Sequence, residues 1–389
     1  NDMSDFDLVV RGNIVECDGV IDNGWVAVSG GRVAARGVGD APQARDSVDA
    51  RGMWIIPGVL DGQVHSGSQA NQEGLGWASR AAAAGGVTTM VEMPYDDPEP
   101  VASAPQLANK VAEIERDCHV DVACYGTLND KHGLEAAAGL IEGGVCGFKF
   151  STFEASPGRF PRVEEDVLME AFRLIAPSGL ACGVHNQDQE LTRKNITRMV
   201  EAGDTGWDAF LRAHTPLIEN LATATIYELG ALTGARAHAV HVSLSRGFDI
   251  CNMYRQAGHK ASIETCVQYL MLNHEEHTRR FGAKTKHYPP HPPQGRDGSA
   301  LDPHCERRVH FCVVRPRQLG PGAQAERQRV QELVWRSWSG NTVARLLDGM
   351  RRTWHLAEYG RQAAVLWPGP TLPAGTPQGF AECGCRCRH

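Results

Sequence analysis

Four short apolar runs in this chain each end on a histidine or a lysine. They are GVLDGQVH (58–65), GVCGFK (144–149), GLACGVH (179–185) and ARAHAVH (235–241). Further runs of the same kind are GVTTMVEMP (86–94), VDVACYG (120–126) and KASIETC (260–266). Helical patterns lie between them, such as residues 103–117 and 163–176. Strands alternating with helices predict a parallel α/β sheet or a (β/α)8 TIM-like barrel over residues 57–286. In such a barrel the C-terminal strand ends converge on one site. His65, Lys149, His185 and His241 all fall at such ends, and three imidazoles with one lysine suggest a metal centre.

Residues 1–56 read differently. FDLVVRGNIV, GWVAVSGGRVAARG and RGMWIIPG alternate apolar and polar residues between Gly and Asp punctuation. This predicts a small N-terminal β-sandwich domain of short antiparallel strands.

Composition narrows the function. No apolar run approaches the roughly 18 residues of a membrane helix, and no charged-then-apolar leader is legible. A soluble, cytoplasmic protein is the expectation. The net charge of -7 argues against a general nucleic-acid binder. The cysteines up to Cys266 are scattered, mostly in strand-like segments, as buried free thiols would be.

Each site residue has a plainer reading. Lys149 in an apolar strand must be modified, paired or snorkelling. A lone histidine is more often hydrogen-bonded structure than ligand. The four together reverse that balance. His238 lies three residues before His241, so alternation puts it on the opposite face, as a structural residue. His119, His214 and His274 are read as structural too.

The runs PGVLDGQVHSG, GGVTTMVEMP, GFKFSTFEASPGRF, the strand ending in His185, HAVHVS and IETCVQYL, taken in order, resemble the cyclic amidohydrolases. That family contains hydantoinases, dihydropyrimidinases, allantoinases and dihydroorotases. The resemblance covers roughly residues 5–286. Pro157, Gly158 and Phe160 bring it nearest to L-hydantoinases and allantoinases. Phe153 and Glu154 fall where D-hydantoinases place a substrate-contacting tyrosine, which points away from those enzymes.

The resemblance implies hydrolysis of a cyclic amide C–N bond by metal-activated hydroxide, in a homo-oligomer (tetramer or dimer). It implies zinc, one or two ions per chain, bridged by carboxylated Lys149 and bound by His65, His185 and His241. The first histidine of the family's H-x-H pair falls on Gln63, a neutral and weaker donor, which lowers the expected metal occupancy. Phe150 and Phe153, with Phe160, are expected to shape the substrate pocket. The family's general base is an aspartate ending the eighth strand.

That strand is missing from the written chain. From His287 to His389 there are 14 Arg, no Lys and no Ile, and Pro clusters as HYPPHPP. The closing CGCRCRH is too tightly spaced for a zinc knuckle. Residues 324–338, which pass for a basic helix, fall in the same tail. Shifted forward by one base, Val313–Arg317 can encode Ser-Ser-Asp-His-Val, a family-like strand end with its aspartate. Residues 287–389 are therefore read as an out-of-frame tail. Taken literally, the chain is expected to lack the catalytic aspartate and to be inactive. The alternatives are a non-catalytic barrel used for assembly and an inactive frameshifted product.

Overall fold

The computed structural model describes residues 6–16, 19–68, 72–155, 160–266, 269, 272–281, 289–290 and 312–313. Pro157, Gly158 and nearly all of the tail from His287 lie outside the described residues. The chain divides into two units, with the break between Val59 and Leu60.

The first unit carries one four-stranded sheet: β1 (Phe6–Glu16), β2 (Gly19–Ser29), β3 (Arg32–Val38) and β4 (Ala44–Ile55), in the order β3-β2-β1-β4. β1, β2 and β3 pair antiparallel, as the alternation predicts. β4 departs from that expectation, because it runs parallel to β1. It follows the exposed β2–β3 hairpin and returns to the far edge of β1, a placement that local alternation does not encode. Val9 and Ile14 on β1 and Ala27 on β2 are the buried apolar positions of this sheet among the described residues.

The second unit holds a curled parallel sheet of seven strands with helices between them, a TIM-like barrel architecture. The strands are β5 (Val59–Val64), β6 (Val87–Glu92), β7 (Asp121–Gly126), β8 (Gly147–Ser151), β9 (Ala181–His185), β10 (Arg236–Val240) and β11 (Ala261–Ile263). They follow one another in sequence order across the sheet. The main core lies between sheet and helices and includes Phe148, Phe150, Phe172, Val184, Ile226, Phe248 and Ile263. The helix at Glu165–Ile175 shows how sequence builds this layer. Leu168, Ala171, Phe172 and Ile175 recur at helical spacing and are all buried, with Glu165 and Asp166 in its first turn and Arg173 in its last.

β12 (Thr265–Cys266) continues past Glu264 and pairs in parallel with β13 (Cys312–Val313). These two residues of the tail form a two-stranded sheet with β12, separate from the seven-stranded one. Among the described residues no ladder joins β13 to β5, so closure of the barrel is not seen. Cys118, Cys124, Cys146, Cys182, Cys251 and Cys266 are free thiols.

Candidate active site

Register fixes which side chains share the inner face of the sheet. Lys149 pairs with Gly183, and Ser151 with His185. His238 pairs with Gly183, and Val240 with His185. A Cβ on Gly183 would meet Val240 Cγ1 at 3.4 Å and Lys149 Cδ at 3.6 Å. Lys149, His185, His238 and Val240 therefore lie on one face, and Phe148, Phe150, Val184 and Ala239 face the helices.

Alternation would turn His241 outward. Instead its backbone takes φ 42°, in the left-handed region that non-glycine residues seldom adopt. This kink brings His241 Nε2 to 2.9 Å from His185 Nδ1, with ring centroids 4.7 Å apart. Such local strain persists only where surrounding contacts impose it. Here Val242 N–H donates to the Glu264 carbonyl at 2.8 Å, and His241 N–H donates to Glu264 Oε1 at 3.3 Å. The expectation that His238 lies on the face opposite His241 is corrected by the same kink. His238 hydrogen-bonds Ser262 Oγ at 2.9 Å and Glu264 Oε2 at 3.2 Å, a structural role for its ring.

Lys149 is 1% exposed. Its Nζ donates to the Phe150 carbonyl at 3.1 Å and lies 5.7 Å from the Tyr95 ring centroid and 5.3 Å from that of Phe160. Tyr95 OH donates to the Lys149 carbonyl at 3.1 Å, and Phe160 meets His185 edge-on at 5.9 Å. Phe160 thus stands beside the site. Phe150 is fully buried in the helix-side core, stacked on Phe148, because it neighbours an inward-facing residue in a strand. Phe153 is half-buried, and its carbonyl accepts from Ser151 Oγ at 2.6 Å.

On β5 and at its end, Asp61, Gln63 and His65 occupy alternate positions and are all buried. His65 Nδ1 lies 2.7 Å from Ser68 Oγ. Gln63 is fully buried, and neither of its amide atoms has a hydrogen-bond partner among the described residues. A buried amide with both polar atoms unsatisfied is costly, on the order of 1–3 kcal/mol per group, so this position is built to meet a further group. Among the described residues no three His, Cys, Asp or Glu side chains gather closely enough to hold a metal ion. The donor types nevertheless fit one: imidazoles at neighbouring strand ends, a buried lysine nitrogen and the unsatisfied Gln63 amide.

Sequence reasoning missed the buried carboxylates Asp61 and Glu92. Burial pushes the Asp61 carboxyl up to about 7, against the Gln63 N–H that donates to it. Burial likewise raises Glu92 to about 7, opposed chiefly by Lys110. Glu92 Oε1 accepts from Ser66 N and Ser66 Oγ at 2.9 and 2.7 Å, fixing the turn just after His65. Lys110 reaches Glu92 at 3.5 Å and Asp96 at 2.8 Å from the helix at Ala104–Asp117. Asp61 was findable by counting back two and four residues from His65 along β5. Glu92 and Lys110 carry no such signal.

Inward imidazoles and a buried lysine thus meet at the carboxyl ends of parallel strands in a TIM-like architecture, where such folds carry their active sites. The chain is 33% identical over 287 residues to an allantoinase from Solibacter usitatus, covering 73% of this chain and 62% of that one. It is 31% identical over 344 residues to an allantoinase from Rubrobacter xylanophilus, covering 87% and 73%. That share exceeds the residues before His287, so this match extends into the tail. The L-hydantoinase (dihydropyrimidinase) from Arthrobacter aurescens superposes with a TM-score of 0.71 at 25% identity, covering 79% of this chain and 69% of that one. No protein-family model matches the chain. The chain belongs to the cyclic amidohydrolase family.

Proposed function

We propose that the protein descends from, and in its complete form acts as, a metal-dependent hydrolase of a cyclic amide C–N bond in a hydantoin, dihydropyrimidine, allantoin or cyclic imide ring. The observation that carries this reading is the meeting of His185 and His241 across the ends of β9 and β10, beside buried Lys149. The names of the relatives, allantoinase and L-hydantoinase, support the reaction class.

In this reading His65, Lys149, His185 and His241 hold zinc, with Gln63 as a weak neutral donor. A zinc ion so held supplies Lewis acidity, polarising the ring carbonyl and making water a usable nucleophile near neutral pH. Carboxylation turns the Lys149 amine into an anionic carbamate, which suits a buried nitrogen among imidazoles better than an ammonium does. Tyr95 and Phe160 exclude water from the Lys149 side of the site. The proton is taken from water and returned to the leaving ring nitrogen by a carboxylate. Our reading places that carboxylate in the aspartate encoded one base away across Arg315–Pro316, outside the described residues. A homo-oligomer in the cytoplasm and the division at residues 56/57 and 286/287 belong to the same proposal.

The test is ring opening by zinc-loaded, frame-corrected protein of verified mass, offered hydantoin, dihydrouracil, allantoin and succinimide. Opening of at least one ring is expected. Metal-loaded, frame-corrected protein that opens none of them would refute the reading and favour the assembly role.

A further inference from the structure

His65 opens a turn that the segment leaving β6 grips along its length. Met93 N–H donates to the Val64 carbonyl and Asp97 N–H to the Gly67 carbonyl, both at 2.8 Å. Between these two bonds, Glu92 Oε1 accepts from Ser66 N at 2.9 Å and from Ser66 Oγ at 2.7 Å. From the other side, Gln72 Nε2 donates to the His65 carbonyl at 2.9 Å. The fit is close enough to exclude a side chain at the centre of the turn. A Cβ on Gly67 would meet Asp96 Oδ1 at 2.9 Å. The backbone on both sides of the His65 ring is therefore held, which is the condition for a side chain to keep one direction.

Ser68 lies on this turn. It is 3% exposed, and its Oγ is 2.7 Å from His65 Nδ1. A neutral imidazole has one N–H and one lone-pair nitrogen. With a hydroxyl on Nδ1, the ring can present only Nε2 to a metal. A histidine that binds a metal almost always donates its second N–H to a fixed acceptor, and that contact sets the tautomer and the ring angle. Ser68 Oγ stands where that acceptor belongs. Unlike the Glu264 carboxylate beside His238, a hydroxyl orients the ring without adding a buried negative charge.

We propose that Ser68 is a positioning residue for His65: its hydroxyl accepts the Nδ1 proton, fixes that tautomer and reserves Nε2 for zinc, on a turn that Glu92 clamps through Ser66. The inference rests on the reading of His65 as a zinc ligand, and it names the group that orients that ligand.

Two readouts on the full chain test it. The first is the tautomer of His65 in metal-free protein at about pH 8, where an ordinary imidazole is neutral. It is read from long-range proton–nitrogen correlations of labelled histidine rings and assigned by the signals lost in His65→Asn. The second is zinc affinity by chelator competition in the parent, Ser68→Ala and Ser68→Thr. The parent should show the Nδ1–H tautomer. Ser68→Ala should bind zinc about 10- to 100-fold more weakly, and Ser68→Thr, which keeps the hydroxyl, should stay near the parent. An Nε2–H tautomer in the parent, or unchanged zinc affinity in folded Ser68→Ala, would overturn the proposal. If Ser68→Ala does not fold, the parent tautomer decides. A parent chain that takes up no zinc sinks the metal reading instead. The tautomer is read without metal, so there too Nδ1–H supports the hold of Ser68 on the ring and Nε2–H refutes it.

Discussion

His185 Nδ1 and His241 Nε2 are 2.9 Å apart, although 56 residues separate them in the chain. Parallel pairing of β9 with β10 supplies the proximity, and the positive φ of His241 supplies the direction. Replacing either ring with alanine should remove bound zinc and lower any ring-opening activity by at least about 100-fold. Metal analysis after gel filtration checks this. Full zinc retention in both variants would remove these residues from the metal site.

Lys149→Ala should lose metal as well, with partial recovery of ring opening on addition of short carboxylates such as acetate or propionate. Unchanged zinc content in this variant would refute the bridging role.

Gln63→His should raise zinc stoichiometry or affinity, because an imidazole would replace a neutral amide that meets no partner among the described residues. If the parent chain already binds two zinc ions tightly, Gln63 does not weaken the site.

Glu219 governs a pH effect. Burial raises its carboxyl from 4.5 to about 7 in the folded chain. The folded state then holds a proton that the unfolded state has lost, so this contribution is present below about 4.5 and fades as pH rises through about 7. The melting temperature of Glu219→Gln, relative to the parent, should therefore climb between pH 5 and pH 8. Parallel curves would contradict the assignment.

Much of the site was legible, and the reasons are local. His65, Lys149 and His185 end apolar runs, so their strand positions follow from pattern alone. His241 was found the same way, but its orientation depends on a backbone kink that alternation cannot foresee. Alternation, applied to Lys149, would have sent Phe150 to the core. Glu264, Glu219 and the Lys110–Glu92–Asp96 set look like ordinary solvated charges in sequence. Their burial arises from tertiary packing, as does the parallel pairing of β4 with β1.

The buried Lys110 illustrates the cost of such sets. Lys110→Met should destabilise the protein by about 3 kcal/mol or more, since Glu92 and Asp96 would lose their shared counter-charge. Urea unfolding measures it. A loss below about 1 kcal/mol, the range of exposed pairs, would contradict a tight buried triad.

Cys312–Val313 pairs beside β12 at the point where the one-base-shifted reading Ser-Ser-Asp-His-Val begins. The most direct measurement is therefore ring opening of allantoin and hydantoin by two zinc-loaded proteins of verified intact mass, the chain as written and the chain restored to the shifted frame after residue 286. The restored chain should open at least one ring and lose that activity when its restored aspartate becomes asparagine, and the written chain should open neither. Robust hydrolysis by the written chain, or none by the restored chain with its zinc in place, would contradict the account.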